Sequence, residues 1–284
     1  MYPTSFAYHR ASSVAEAVQI LGDNPEAKLL AGGYSLIPAM KLRLARPELL
    51  VDLGKIESLR GIRIDSDGAH IGAMTTYNAL TEHAGLQAMF PFIADAIRYI
   101  GDQQVRAHGT LGGTLAHADP GADLTAVFLA LNGEVRVTGA QGERIISADD
   151  LFVDLWTTSL EPDEIITDIF IPAPLPGTLM SYKKYGQPAS GYAIAGVAAV
   201  VTVTDAMVTA ARVAITGATS KATRAIGAEA ALIGNPLTVD SIANAAEHAP
   251  DGLEINGDMF ASEEYRKHLI SVLTSSLLQS PADQ

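Results

Sequence analysis

A chain of 284 residues, 48% apolar and 18% charged, is long enough for two domains and apolar enough to fill their cores. Its formal net charge of −13 argues against a nucleic-acid or anionic-membrane binder, which needs a basic surface. The absence of cysteine excludes disulfides, thiol catalysis, zinc–thiolate sites and cysteine-ligated iron–sulfur clusters.

In chain order, Ser13 and Glu16 read as a capping box ahead of a helix carried by Val14, Ala17, Val18 and Leu21 and ended by Gly22. Residues 28–31 read as a buried strand running into Gly32-Gly33, residues 36–44 as a helix and residues 49–52 as a strand. Together they make a small α/β unit. A strand at 70–73, helices at 75–83 and 87–100, a glycine-rich stretch at 109–114 and a helix at 123–131 follow. Strands at 134–138, 144–146 and 165–171 imply an antiparallel sheet with helices. The proline-rich joint 172–177 marks the domain boundary. Beyond it come strands at 181–185, 196–204 and 208–215, a meander, and helices at 222–233, 238–248 and 261–279. No apolar run approaches the roughly 18 residues of a membrane span, and the first residues lack a basic-then-apolar leader, so a cytoplasmic protein is expected.

Two segments suggest anion binding. In Leu30-Ala31-Gly32-Gly33-Tyr34-Ser35-Leu36 a strand delivers small residues to a helix start, where backbone N–H groups could meet a phosphate. It is neither G-x-G-x-x-G nor a Walker A loop, and Ile37 replaces the last glycine of a hydrolase elbow. Gly109-Thr110-Leu111-Gly112-Gly113-Thr114 repeats the pattern with flanking hydroxyls. The residues alone leave two readings open, tight turns or two sides of one nucleotide cradle. Asp119 and Asp123 read either as a cap plus a solvated acid or as an acceptor for a cofactor. Lys184 reads as a surface lysine or a cation near a ring, and Tyr192 as a core residue or a stacking one. The seven histidines lack zinc spacing, and Ser181-Tyr182-Lys183-Lys184 matches S-x-x-K without its companion motifs.

Taken in order, these segments resemble the FAD-binding medium subunits of the xanthine dehydrogenase and carbon monoxide dehydrogenase family. The resemblance runs through Ala31–Pro38 with Met40-Lys41-Leu42-Arg43, Ile71-Gly72-Ala73 and Thr75-Thr76. It continues with Ile100-Gly101-Asp102-Gln103-Gln104-Val105-Arg106 into Gly109–Thr114, then Ala116–Pro120 and Asp123-Leu124. It implies an α+β chain: a two-subdomain FAD-binding fold (PCMH type) at 1–176, divided near 57 and 58, and a C-terminal antiparallel sheet plus helices at 177–284. By position it implies FAD contacts from Lys28, Leu29, Leu30, Ala31, Gly32, Gly33, Tyr34 and Ser35, and from Thr110, Leu111, Gly112, Gly113 and Thr114. Apolar contacts would come from Ile100 and Ile166. Asp123, Lys184 and Tyr192 would stand near the ring.

The sequence departs from the family pattern around the ring rather than at the pyrophosphate. Tyr34 replaces glutamine or histidine, Gly191 stands where many members carry an acid, and Gln187-Pro188 replaces a basic pair. The resemblance also implies a molybdenum–pterin large subunit, a small subunit with [2Fe–2S] clusters, and a dimer of heterotrimers. The missing cysteines agree that clusters sit on another chain. No acid–base dyad, nucleophile or metal ligand set is expected here. Competing readings are a self-contained flavin oxidase of the vanillyl-alcohol-oxidase type and a scaffold whose glycine segments are only turns.

Overall fold

The computed structural model describes residues 2–282. Its first unit holds β1 (Ala7–Arg10), α1 (Val14–Asp23), β2 (Ala27–Leu30), α2 (Leu36–Lys41) and β3 (Leu49–Asp52), with a parallel sheet in the order β1-β3-β2. Every residue of β1 is exposed, so its sequence lacks the alternation that announces a strand. Ser13 caps α1 through the N–H of Glu16, but the Glu16 carboxylate turns to the N–H and hydroxyl of Ser12. The capping box is therefore half formed, and the helix runs past Gly22 to Asp23. The helix expected to reach residue 44 stops at Lys41, where Leu42 caps it and Arg43 turns left-handed with φ +63°. Ala17, Val18 and Leu21 of α1 pack with Val51, Leu53 and Met74 in a small core.

A second unit follows, with β4 (Ile62–Ile64), β5 (Gly68–Gly72), α3 (Tyr77–Glu82), α4 (Ala84–Met89), α5 (Pro91–Arg98), α6 (Gln103–His108), α7 (Leu111–His117) and α8 (Asp123–Ala130). It closes with β6 (Glu134–Gly139), β7 (Gly142–Ser147), α9 (Ala148–Leu151), β8 (Phe152–Asp154), β9 (Thr157–Thr158) and β10 (Ile165–Pro172). The sheet is antiparallel in the order β4-β5-β10-β6-β7. The single helix expected at 87–100 is two, broken at Phe90 because Pro91 starts a new helix at its first position. The glycine-rich stretch is not a loop. Thr110 caps α7, and Gly112 and Gly113 lie in its first turn. All eight residues of α8 are buried, so it forms the central rod of this core.

The third unit contains β11 (Thr178–Gly186), β12 (Ala193–Thr204), β13 (Met207–Thr216), β14 (Thr223–Arg224), α10 (Ile226–Leu232), α11 (Val239–His248) and α12 (Glu263–Ala282). The meander gains a fourth strand, since residues 223–224 pair with β13 and the helix expected from 222 starts at Ile226. β12 is buried on both faces. Ala195, Val197, Ala199 and Val201 join the core under the C-terminal helices, while Ala198 joins the core of the second unit. One sheet is thus packed between α8 and α10–α12, and it delivers residues 184–192 to the edge of the second unit. Among the described residues no helix is long and apolar enough to cross a membrane.

Candidate functional site

The turn after β2 meets the start of α7 directly. A Cβ on Gly32 would collide with the carbonyl of His108, and one on Gly113 would lie 3.6 Å from Ala31 Cβ. Gly33 sits at φ +78°, a conformation that favours glycine, and this swings the chain into α2. Tyr34 stacks on His108 with ring centroids 5.8 Å apart, so two separate stretches are pinned together beside the turn.

The two glycine segments differ in what they can offer. Among the described residues, the N–H groups of Gly32, Gly33, Tyr34, Ser35 and Leu36 meet no protein acceptor. Five successive unpaired donors on one turn are the kind of backbone segment that can take an anion. In the other segment the N–H of Leu111 goes to Thr75, that of Gly112 to Ala73, that of Gly113 to Thr110 Oγ1 and that of Thr114 to Thr110. Of the two glycine segments, only the first therefore presents unpaired amides among the described residues. The start of α7 supplies a close, side-chain-free surface rather than donors. Thr114 adds a hydroxyl, which is bonded to that of Tyr77.

Tyr192 closes the opposite side. It is 48% exposed, its ring lies 3.1 Å from where a Cβ of Gly121 would stand, and the Ser35 hydroxyl faces its own. It is therefore no core residue. Burial raises its phenol above the ordinary value, Asp119 and Asp123 add to this, and Ser35 opposes it. Asp119 accepts the N–H of Gly121 at 2.8 Å and so shapes the turn before α8.

Behind Tyr192 lies a buried ion pair. Asp123 and Lys184 are 2.9 Å apart, with side chains 6% and 3% exposed. Asp123 is thus neither a cap nor a solvated acid; Ala122 is the residue at the cap position of α8. The Tyr182 hydroxyl donates to Asp123, and the Lys184 ammonium also reaches the carbonyls of Tyr99 and Gly191. Burial pushes the Asp123 carboxyl up, against the pull of Lys184 and then of Tyr182.

The structure therefore brings together Ala31, Gly32, Gly33, Tyr34, Ser35, Gly113, Thr114 and Tyr192. It places Lys28 on an exposed strand position, half-buries Leu29, Leu30 and Ile100, and buries Thr110, Leu111, Gly112 and Ile166 in or beside the cores. Sequence reading missed Tyr77, His108, Gly121 and Tyr182. Tyr182 was findable, since it lies two residues before Lys184 on one strand and so shares its face. Away from the cleft, ligand atoms of Asp65, Asp67 and His70 lie within 4.8 Å of one another. Asp65 is paired with Arg63, and His70 with Asp168.

An FAD diphosphate fits this cleft on three observations: free amides on one wall, a glycine on the other, and no room for a Cβ at Gly32. Comparison with known proteins agrees. Residues 4–174 match the family described as FAD binding domain in molybdopterin dehydrogenase, and residues 180–280 match the CO dehydrogenase flavoprotein C-terminal domain. The carbon monoxide dehydrogenase medium chain of Hydrogenophaga pseudoflava is 37% identical over 99% of this chain and 98% of its own. The nicotine 6-hydroxylase medium subunit of Paenarthrobacter nicotinovorans is 36% identical over 94% and 93%. The solved carbon monoxide dehydrogenase of Hydrogenophaga pseudoflava, in a form lacking the Mo-pyranopterin moiety of its cofactor, superposes with a TM-score of 0.96 at 38% identity. It covers 100% of this chain and 99% of that one.

Proposed function

The chain belongs to the FAD-binding medium subunits of the molybdenum-containing dehydrogenases, and from that membership we propose that it carries electrons out of a larger complex. It is an oxidoreductase subunit whose cofactor is FAD. Electrons would arrive from [2Fe–2S] clusters on a small partner subunit, downstream of a molybdenum–pterin large subunit, and leave to an external acceptor. Bound FAD would supply the ability to take electrons singly and pass them on singly or in pairs. The complex would be a dimer of such heterotrimers, and the boundary within this chain would fall in the proline-rich joint 172–177.

The observation that carries the reading is the turn 32–36, whose five N–H groups have no protein acceptor among the described residues and which the Gly32 contact holds against the 108–113 stretch. These amides would hold the diphosphate without a cation, as an acidic chain requires. Gly113 and Thr114 would face it from α7, and Tyr192 would shield the ring. On this reading the chain's task is to bind and orient the cofactor. Medium subunits of complexes named for carbon monoxide and for nicotine resemble this chain almost equally, which supports substrate choice on another subunit.

The test is to tag this chain, isolate it from the cell that makes it, and analyse the product. Stoichiometric flavin, with molybdenum and iron in the same chromatographic peak, is expected. A flavin-free chain that elutes alone and takes up no added FAD overturns the proposal.

A further inference from the structure

Two hydroxyls meet behind the cleft wall formed by α7. The Tyr77 phenol, from the first residue of α3, bonds the Thr114 hydroxyl, and neither has another partner among the described residues. A hydroxyl gives one proton and can take two. One of the pair therefore donates to the other, and one proton is left over. The two ends differ in surroundings. Tyr77 is 7% exposed, whereas Thr114 is half-buried, next to Gly113 at the cleft. A proton left on the phenol would be a buried donor without an acceptor, which folded proteins avoid. A proton left on Thr114 is available to whatever fills the cleft.

The phenol is held in place by backbone. The Tyr77 N–H goes to the Gly109 carbonyl at 3.0 Å and the Leu111 N–H to that of Thr75 at 3.1 Å, so residues 75–77 lie antiparallel to 109–111. The ring fills the space that Gly109 leaves, where a Cβ would stand 2.5 Å from Tyr77 Cε2. Burial pushes the phenol up to about 12 against the pull of the Thr114 bond, and Tyr192 and Asp123 add to the rise. The phenol therefore keeps its proton at neutral pH.

We propose that Tyr77 is a positioning residue: its phenol donates to Thr114 Oγ1 and so leaves the Thr114 proton for an anionic oxygen of the cofactor. The proposal rests on the reading that an FAD diphosphate lies between the turn 32–36 and α7. A threonine inside a helix otherwise turns its hydroxyl back to the carbonyl four residues earlier, here that of Thr110. The bond to Tyr77 holds the Thr114 oxygen off its own helix instead. The amides at the start of α7 are already committed to protein acceptors, so this hydroxyl is the donor that wall can offer. A donor there suits the charge of a diphosphate.

The test uses the full-length chain, in the assembly it purifies with, stripped of flavin and titrated with FAD. Tyr77→Phe keeps the ring under Gly109 and should weaken FAD binding by ~10-fold, as should Thr114→Val. The double variant should be no weaker than Thr114→Val alone, and Thr114→Ser should bind within ~3-fold of wild type. A second readout needs no flavin. With the tyrosines isotopically labelled, the Tyr77 phenol proton of the FAD-free protein should appear downfield in the proton NMR spectrum. It should vanish in Tyr77→Phe and move upfield in Thr114→Val.

Losses that multiply in the double variant would put the phenol itself on the cofactor and overturn the proposal. So would unchanged affinity in Tyr77→Phe. A phenol proton that Thr114→Val leaves in place would also overturn it, since Thr114 would then be the donor and its proton spent. If Thr114→Val does not accumulate as folded protein, Thr114→Ala carries the same readouts. Failure of the wild-type protein to take up FAD would remove the flavin reading, while the proton spectrum would still decide which hydroxyl donates.

Discussion

Replacing Gly32 by alanine isolates the contact on which the cleft depends. The added Cβ would collide with the His108 carbonyl oxygen, and it would stand 2.8 Å from the carbonyl carbon and 3.0 Å from Gly109 Cα. All three are backbone atoms, so no side chain can rotate away. Overpacking by a methyl group costs roughly 1–3 kcal/mol, and an obstacle made of backbone puts this case near the top, at about 3 kcal/mol. At about 1.4 kcal/mol per decade, that is ~100-fold in an equilibrium constant. The cost must appear as lost stability of the FAD-free chain, as weaker FAD binding because the turn has moved, or as both. Urea unfolding of the FAD-free protein and FAD titration of the folded protein, added together, should recover about 3 kcal/mol. Gly113→Ala is the comparison. Its Cβ meets Ala31 Cβ at an ordinary 3.6 Å and Thr110 Oγ1 at 2.7 Å, a hydroxyl that can turn aside only by giving up the α7 cap, so the sum should come to about 1 kcal/mol, well below that for Gly32→Ala. If Gly32→Ala matched wild type in both measurements, the close approach of the two stretches would be refuted.

Further outcomes follow from other contacts. Gly113→Asp brings a carboxylate to the wall facing Ala31, and the purified protein should contain no flavin by absorbance at visible wavelengths. Glu229 is buried, pairs with Arg224 at a side-chain exposure of 5%, and accepts the buried N–H of Val213 at 2.9 Å. Glu229→Ala should cost about 3 kcal/mol in urea unfolding, because a charge and a buried donor lose their partner together. Bonds from the Ser12 hydroxyl and N–H, then from His9, hold the exposed Glu16 carboxyl down to about 2 from 4.5. Since its folded value lies below its unfolded one, its stabilising contribution is present above pH 4.5 and fades as pH falls towards 2. A carboxyl NMR titration should place the Glu16 midpoint near pH 2, and Ser12→Ala should move it upward.

The order of elements was legible wherever one face of a segment is buried and the other wet. α1 and α11 show helical spacing and were found within a residue or two. Elements with a uniform environment were not. β1 is exposed throughout, and α6 buries none of its residues, so neither carries a periodic apolar signal. The glycines that marked 109–114 also hid a helix there, because their low helix propensity argues for a turn. Tertiary contacts decided otherwise: Gly112 packs against Ala73 and Gly109 against the Tyr77 ring, sites that admit no side chain. At the site, motif position drew attention to the right stretches but not to their chemistry. Whether an amide is free or spent depends on partners such as Ala73 and Thr75, which lie about forty residues earlier in the chain. The same holds for Asp123 and Lys184, whose pairing joins residues sixty-one apart.

The hold of Lys184 on residues from two earlier helices has a counterpart on its neighbour. Lys183 of β11 donates to both the carbonyl and the hydroxyl of Ser276 in α12. Successive residues of one strand thus fasten it on opposite faces, Lys184 to the second unit and Lys183 to the C-terminal helix. A displacement of α12 would therefore be transmitted through β11 to the segment that carries Tyr192.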